Sequence, residues 1–328
     1  MRERAAKPRV SIGIPTYRRP ALVCEAVDSA LQQTYSSIEV MVSDDSPDDL
    51  TERALADLVA TGRIRYTRNR PALQQARNVN RLLDWAAGEL FVLLHDDDSL
   101  LPDAVAELAA CFDSDPTLVV AYGKQYLVEI DGRVDMAGSL GLNEAYQRTA
   151  SRAGRQASSL RAALAAQIPN DGFMVKTAAA RRLGYREDPR VGHACDYDFG
   201  LRLATAYDGF FFLDRYTARY RMTGASISGE NNYANLTFDL AADLDLPPEL
   251  EALRSQRLRG SAVQAVTGWL ERGDRRAALR VYGSTAYGWK RRLSAQGVLH
   301  AILLCSRGPF ARQAIASFKR LRGRPPPR

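Results

Sequence analysis

The sequence predicts an α/β domain, with a mostly parallel sheet flanked by helices, followed by a C-terminal helical extension. Three observations carry this expectation. Over the first third of the chain, short apolar runs alternate with stretches of helical periodicity, the signature of βαβ units. Each apolar run ends abruptly in polar or charged residues. From about Tyr233 onward strand-type runs stop and only helical patterns continue.

The elements follow in order. Val10 to Ile14 (VSIGI) is the first strand, stopped at Pro15. In PALVCEAVDSALQQ, Leu22, Val23, Ala26, Val27, Ala30 and Leu31 fall on one helical face. IEVMVS (Ile38 to Ser43) is the second strand, and DDSPDD after it is a turn rich in capping residues. ALADLVATG reads as a helix closed by Gly62, and IRYTRN as the third strand. LQQARNVNRLLDWAAGE is a helix with Ala76, Val79, Leu82, Leu83 and Ala86 inward, and LFVLL is the fourth strand. A further helix starts near Pro102, where proline suits the first turn. LVVAYGKQYLVEIDGRV reads as two strands around Gly123 with a turn at DGR. Residues 137 to 167, rich in Gly, Ala, Ser and Arg, predict a loop with one or two short helices, the kind of long connection that often serves as an active-site flap. GHACDYDFGLRLATAYDGFFFLDRYTARYRM predicts a helix and at least one strand. PELEALRSQRLRGSAVQAVTGWLERG, DRRAALRVYGS, QGVLHAILLC and FARQAIASFKRLRG are helical, and PPPR ends the chain as a disordered tail.

Composition excludes several classes. Apolar residues at 46% and charged residues at 25% suit a folded soluble protein. No apolar run approaches the ~20 residues that span a bilayer, and the basic N-terminus lacks the apolar segment of a secretory signal. Cys24, Cys111, Cys195 and Cys305 are scattered, without zinc spacing or a disulfide framework, as in a reduced cytoplasmic protein. The net charge of +7 hides an asymmetry: from Leu250 to the end there are seventeen Lys/Arg against three Asp/Glu, which leaves residues 1 to 249 at −7. An acidic body with a basic tail argues against nucleic acid as the partner of the main domain.

In mostly parallel sheets, ligands collect at the carboxyl ends of the strands. Here those ends deliver PTYRR, SDDSPDD, TRNR and HDDD to one rim. Three adjacent carboxylates, Asp96, Asp97 and Asp98, are costly at a buried strand end without a counter-charge, and a divalent cation with oxygen ligands answers that cost. A solvated acidic turn is the competing reading for an isolated run of this kind. Asp44 and Asp45 both suit helix capping, but a cap needs one acceptor, which leaves a carboxylate for a base or ribose. Tyr17 and Arg18 offer a ring and a guanidinium beside that position, and Arg77 could reach a phosphate. Asp196 and Asp198 sit at a helix start, where capping and the helix dipole compete with a general-base role. His193 could be such a base by its ordinary pKa but ranks below Asp196, since a histidine in a GHAC turn is more often structural.

Taken in order and spacing, VSIGIPTYRRP, EVMVSDDSPDD, ARN, GELFVLLHDDDSLLPD and CDYDFGLRL resemble the family 2 glycosyltransferases of GT-A fold, over roughly Val10 to Ser228. The resemblance implies a Rossmann-like catalytic domain and an inverting transfer from a nucleotide-diphosphate sugar, usually with Mn2+ or Mg2+. It implies that Pro15, Thr16 and Tyr17, with Arg18 beside them, line the nucleoside pocket. Asp45 would read the base, typically uracil, and Arg77 would lie near the nucleotide. Asp97 would ligate the metal, flanked by Asp96 on the nucleotide side and Asp98 on the metal side, and Asp196 would be the catalytic base. Three positions depart from the family pattern: His95 and Cys195 replace acids, and Thr223, in YRMTGASIS, replaces a histidine.

These readings predict a catalytic domain over residues 1–232, with a nucleotide-binding half at about 8–115 and an acceptor half at about 116–232, then a basic helical region over 233–328. The expected donor is a UDP-sugar carrying a hexose or N-acetylhexosamine. The acceptor is a glycan, a lipid-linked glycan or a small natural product. A nucleotide-binding relative without turnover is the alternative from outside the enzymes. A metal-dependent nucleotidyltransferase is the enzyme alternative, although PTYRRP lacks the glycines of a triphosphate loop. For the basic tail, two readings stay open: an extension packed on the catalytic domain, or a peripheral contact with the inner face of an anionic membrane through amphipathic helices.

Overall fold

The computed structural model describes residues 10–222 and 233–306. Thr223 and the FARQAIASFKRLRG segment lie outside the described residues. The chain divides into two compact units, one of residues 1–187 and 195–223, the other of residues 188–194 and 224–328.

In the first unit the elements run β1 (Val10–Thr16), α1 (Pro20–Leu31), β2 (Ile38–Asp44), α2 (Leu50–Ala54), α3 (Ala56–Ala60), β3 (Arg65–Arg68), α4 (Gln75–Trp85) and β4 (Leu90–Leu93). They continue through β5 (Ser99–Leu100), α5 (Ala104–Ser114), β6 (Val120–Val128), β7 (Val134–Asp135), α6 (Met136–Ala145), β8 (Gly154–Arg155) and α7 (Ser159–Leu164). β9 (Met174–Lys176), α8 (Thr177–Leu183), α9 (Cys195–Ala206) and β10 (Phe210–Arg221) complete it.

The strands form one sheet in the order β3-β2-β1-β4-β9-β6-β10-β5, with β7 on β6 and β8 on β10. β1, β2, β3 and β4 are parallel neighbours, so their carboxyl ends share one edge. β9 runs antiparallel to both β4 and β6, which makes the sheet mixed at its centre. β1 and β4 are almost wholly buried, as a sheet covered on both faces requires. Ile12, Ile14, Val42 and Val92 have no exposure and anchor a core shared with Val23, Ala26 and Val27 of α1.

Three elements differ from the sequence expectation. In place of one helix over 54–62, the chain forms two five-residue helices, α2 and α3, that break at Leu55, before Gly62 at φ 69°. Gly123 does not separate two strands; it lies inside β6. A Cβ there would come 2.5 Å from Thr217 Oγ1 and 2.7 Å from the Arg215 carbonyl, so the glycine marks the close passage of β10 where the register shifts. The DGR turn instead joins β6 to the short β7, with Gly132 at φ 83°. Residues 137–167 hold α6 and α7, the expected short helices, and the connection between them carries Arg148 into the interior.

The second unit is helical: α10 (Ala234–Ala242), α11 (Glu251–Glu271), α12 (Arg275–Gly283), α13 (Trp289–Arg292) and α14 (Ala295–Cys305). Phe238, Ala262, Ala265, Val266, Val281, Leu303 and Leu304 form its core. His300 is buried in it between the Tyr287 hydroxyl, 2.9 Å from Nδ1, and the Thr267 hydroxyl, 3.0 Å from Nε2. Among the described residues, no helix is long and apolar enough to cross a membrane.

Candidate active site

The ends of β1 to β4 meet as the sequence predicts. The Thr16 hydroxyl donates to Asp96 Oδ2 at 2.7 Å, the Tyr17 amide to the same oxygen at 3.2 Å, and the Arg18 amide to Ser46 Oγ at 2.8 Å. The Asp45 amide donates to the Thr16 carbonyl at 2.9 Å. Arg18, at φ 56°, holds a left-handed backbone conformation in the turn after β1, the kind of local strain that concentrates at working sites.

Tyr17, Asp45, Ser46, Asn69, Arg70 and Pro71 line a cavity of about 380 Å³, and the Tyr17 ring is half exposed to it. Asp45 supports its wall. One carboxylate oxygen accepts from Asn69 Nδ2 at 2.8 Å and the Leu73 amide at 3.0 Å; the other accepts from the Gln74 amide at 2.8 Å. Asp45 thus ties down the loop entering α4, whose last residue, Gln74, has φ 69°. Asp44 accepts from the Ser46 amide and the Tyr66 hydroxyl, both at 2.7 Å, so neither acid caps α2. Arg77 is not among the residues lining this cavity. It sits on the outer face of α4, pairs with Glu187 at 2.5 Å and lines a second depression of about 650 Å³.

The HDDD carboxylates part company. Arg19 bridges Asp96 at 2.9 Å and Asp97 at 2.7 Å. Burial raises the Asp96 pKa, with Arg19 opposing the shift and Asp97 adding to it. Asp98 turns the other way. Its Oδ1 accepts from the Arg221 amide at 2.7 Å, while its buried Oδ2 has no hydrogen-bonding group donating to it. Asp98 meets the carboxylate of Asp171, and burial, Asp171 and Asp97 together push its pKa well above the usual carboxylate range. Asp171 is fully buried and raised by burial too, with His95 opposing. His95, Asp98 and Asp171 each offer a ligand atom within 4.8 Å of the others. The structure therefore brings Asp98, but not Asp97, into its candidate cation cluster.

Asp171 escaped the sequence reading. It belongs to the NDG turn before β9, and the antiparallel course of β9 beside β4 carries that turn to the rim where β4 ends. Gly172, at φ 69°, lets the chain turn there, donating its amide to the Leu93 carbonyl at 2.8 Å. Asp171 accepts from the His95 amide at 3.1 Å and from Gln125 Nε2 at 2.9 Å, and Arg148 donates to Gln125 Oε1 at 3.0 Å. The available signal was an acidic turn placed directly before an apolar run.

The two acids at the start of α9 also separate. Asp198 is buried between Arg186 and Arg202, a structural pairing. Asp196 has one carboxylate oxygen buried without a hydrogen-bond partner, and no arginine or lysine pairs with it among the described residues. Burial raises its pKa, against the opposing charge of His95 and the Tyr185 hydroxyl. For His95, burial lowers the pKa but is outweighed by Asp171, Asp196, Asp97 and Asp96, so the net shift is upward. Cys195 is fully buried, and its thiol is pushed well up by burial and the neighbouring acids. His193 lies in the other unit.

The mostly parallel sheet, with acid-rich strand ends gathered beside a cavity, is that of a GT-A-fold protein. Residues 11–154 match glycosyl transferase family 2, which places that stretch of the chain in the family. It is 36% identical over 103 residues to the GalNAc(5)-diNAcBac-PP-undecaprenol beta-1,3-glucosyltransferase of Campylobacter jejuni, a match covering 31% of this chain and 33% of that protein. Its matches span about a third of the length of the first curated relatives. Among solved structures it is similar to S. aureus TarS 1-349 in complex with UDP-GlcNAc, with a TM-score of 0.61 at 15% identity over 96% of this chain and 92% of that one. It is also similar to the mannosyltransferase PcManGT from Pyrobaculum calidifontis in complex with GDP-Man and Mn2+, with a TM-score of 0.59 at 18% identity, covering 97% and 88%.

Proposed function

We propose that the protein transfers a hexose or N-acetylhexosamine from a nucleotide-diphosphate sugar, UDP-linked first among the donors, to an acceptor hydroxyl with inversion. The observation that carries this reading is Asp196: a buried carboxylate oxygen without a partner, on the domain that also forms the cavity of Tyr17 and Asp45. A carboxylate whose pKa is raised is a better proton acceptor near neutral pH than an ordinary one. In the proposed step the acceptor oxygen bonds to the anomeric carbon while its proton passes to Asp196. The bond from that carbon to the diphosphate oxygen breaks on the opposite face, and the nucleoside diphosphate leaves.

The roles of the rim residues follow from where they sit. Tyr17 would stack on the base. Thr16 and Arg19 hold Asp96 in place, Asp45 supports the cavity wall, and Pro15 and Arg18 would act from the chain on either side of Tyr17, outside the cavity lining. Arg77 would meet only parts of the ligand that extend beyond the cavity. An unpartnered Asp98 oxygen facing Asp171, with an imidazole beside them, is a donor set suited to Mn2+ or Mg2+, and the nitrogen favours Mn2+. His95, Asp98 and Asp171 would hold the ion, with Asp97 next to them. When bound, it offsets charge on the diphosphate.

The similarity to the undecaprenol-linked glucosyltransferase of Campylobacter jejuni supports a glycan or lipid-linked acceptor. A thermal-shift screen of UDP, GDP and dTDP and their sugars, with and without Mn2+, tests the reading. Stabilisation by one nucleotide set, with metal-dependent release of that diphosphate from its sugar, is expected. Indifference to all three sets would refute it.

A further inference from the structure

We propose that the outer face of α13 and α14 is a docking surface for an anionic lipid bilayer. α14 has no charged residue over its eleven positions. Gly297, His300, Leu303 and Leu304 point into the helical core. The opposite positions, Ala295, Val298, Ile302 and Cys305, are exposed, and they recur at three- and four-residue spacing along one face. Apart from Gln296 its exposed positions are apolar, and among the described residues only the opposite side packs into a core, whereas an apolar helix face belongs in a core or in lipid. Immediately before it, Trp289 is 65% exposed and Leu293 73% exposed. Lys290 and Arg291 stand exposed beside them.

Charge decides the occupant. Over the described residues from Arg275 to Ser306 there are six Lys/Arg and no Asp/Glu. A second copy would bring two such surfaces together, and like charge opposes that pairing. A nucleic acid would satisfy the cations but leave Val298, Ile302 and Leu293 in water. An anionic bilayer surface satisfies both: headgroups meet Lys290 and Arg291, and the apolar side chains with the Trp289 ring enter the interface. Eleven residues are too few to span, so the helix would lie in the plane of the membrane. This inference does not depend on the glycosyltransferase reading.

The test is flotation of the full chain with vesicles of phosphatidylcholine alone or mixed with phosphatidylglycerol, at low and high salt. Binding is expected only to the mixed vesicles, weakening as salt rises. Val298→Ser with Ile302→Ser keeps every charge and is expected to weaken binding by about tenfold. Lys290→Glu with Arg291→Glu keeps the apolar face and should weaken it at least as much. Circular dichroism confirms that each variant folds, and Trp289 fluorescence reports entry into the interface by a blue shift. The proposal is overturned if the parent ignores anionic vesicles at low salt or if the serine variant binds like the parent. A concentration-dependent dimer that the serine pair abolishes, or binding to RNA but not to vesicles, would also overturn it.

Discussion

Replacing Asp171 with asparagine preserves shape and removes one of two carboxylates in direct contact. In the parent, Asp171 is fully buried and faces the unpartnered Asp98 oxygen, with only His95 as a charged counterweight in the cluster. The asparagine oxygen can still accept from the His95 amide or from Gln125 Nε2. Its NH2 can donate to Asp98, so relief of like-charge contact offsets a weakened bond. Without metal the variant should therefore melt within about 1 kcal/mol of the parent, or above it. With metal the two should diverge. At free Mn2+ of 100 times its dissociation constant, binding stabilises the parent by about 2.7 kcal/mol. At ~2–4 °C per kcal/mol for a domain of this size, that is a rise of about 5–10 °C. If losing one ligand weakens binding ~100-fold, the variant retains about 0.4 kcal/mol, a shift of ~1–2 °C. Differential scanning fluorimetry in EDTA and in a Mn2+ series measures both. An Asp171→Asn protein that keeps the full Mn2+ shift, or falls by several kcal/mol without metal, would refute the cluster as a cation site.

Asp196→Asn should lower kcat by about 10²–10⁴ while donor affinity, read by calorimetry, stays near the parent value; near-normal turnover would remove Asp196 as the base. Asp45→Ala strips partners from the Asn69 amide and from the Leu73 and Gln74 backbone N–H groups. It should cost about 2–4 kcal/mol in urea unfolding and weaken nucleotide binding together, and an unchanged midpoint would show that water replaces it freely. His300 gives the helical unit an acid-labile element. Burial lowers its pKa to about 4, below the ordinary ~6.5, so the unfolded chain takes the proton first as pH falls. Its contribution is complete above about pH 6.5 and is lost between there and about pH 4, roughly 3 kcal/mol in all. Melting curves across that window should slope for the parent and flatten for His300→Gln, and equal slopes would sink the assignment.

The alternation of apolar runs and helical periodicity made β1 to β4 and their shared edge legible, because parallel strands buried on both faces leave an unmistakable pattern. Longer-range pairing was not legible. His95 and Asp171 are 76 positions apart and meet only because β9 inserts antiparallel between β4 and β6, an arrangement that no local period encodes. Asp196 and Asp198 look equivalent at a helix start. What separates them is Arg186 and Arg202, which bury and neutralise Asp198 alone. Arg77 had the charge expected of a phosphate ligand, but its position on α4 turns it toward Glu187. Gly123 read as a break because glycine more often ends a strand than admits a neighbouring backbone.

The HDDD run is tolerable because the fold divides its charges between two environments. Asp96 and Asp97 share one arginine from the turn after β1, so the acid motif and the nucleoside-side turn stabilise each other. Asp98 faces inward, where Asp171 adds a second negative charge. A carboxylate at position 95 would place a further buried charge in that cluster. Histidine instead can carry a proton and act as the internal counterion, or lose it and offer a ring nitrogen to a cation. Because the surrounding acids raise the His95 pKa, these two states compete, and cation affinity should fall as pH drops and the ring becomes protonated. The departure at His95 therefore changes how the acidic site is neutralised, and keeps a ligand atom in place for the proposed cation.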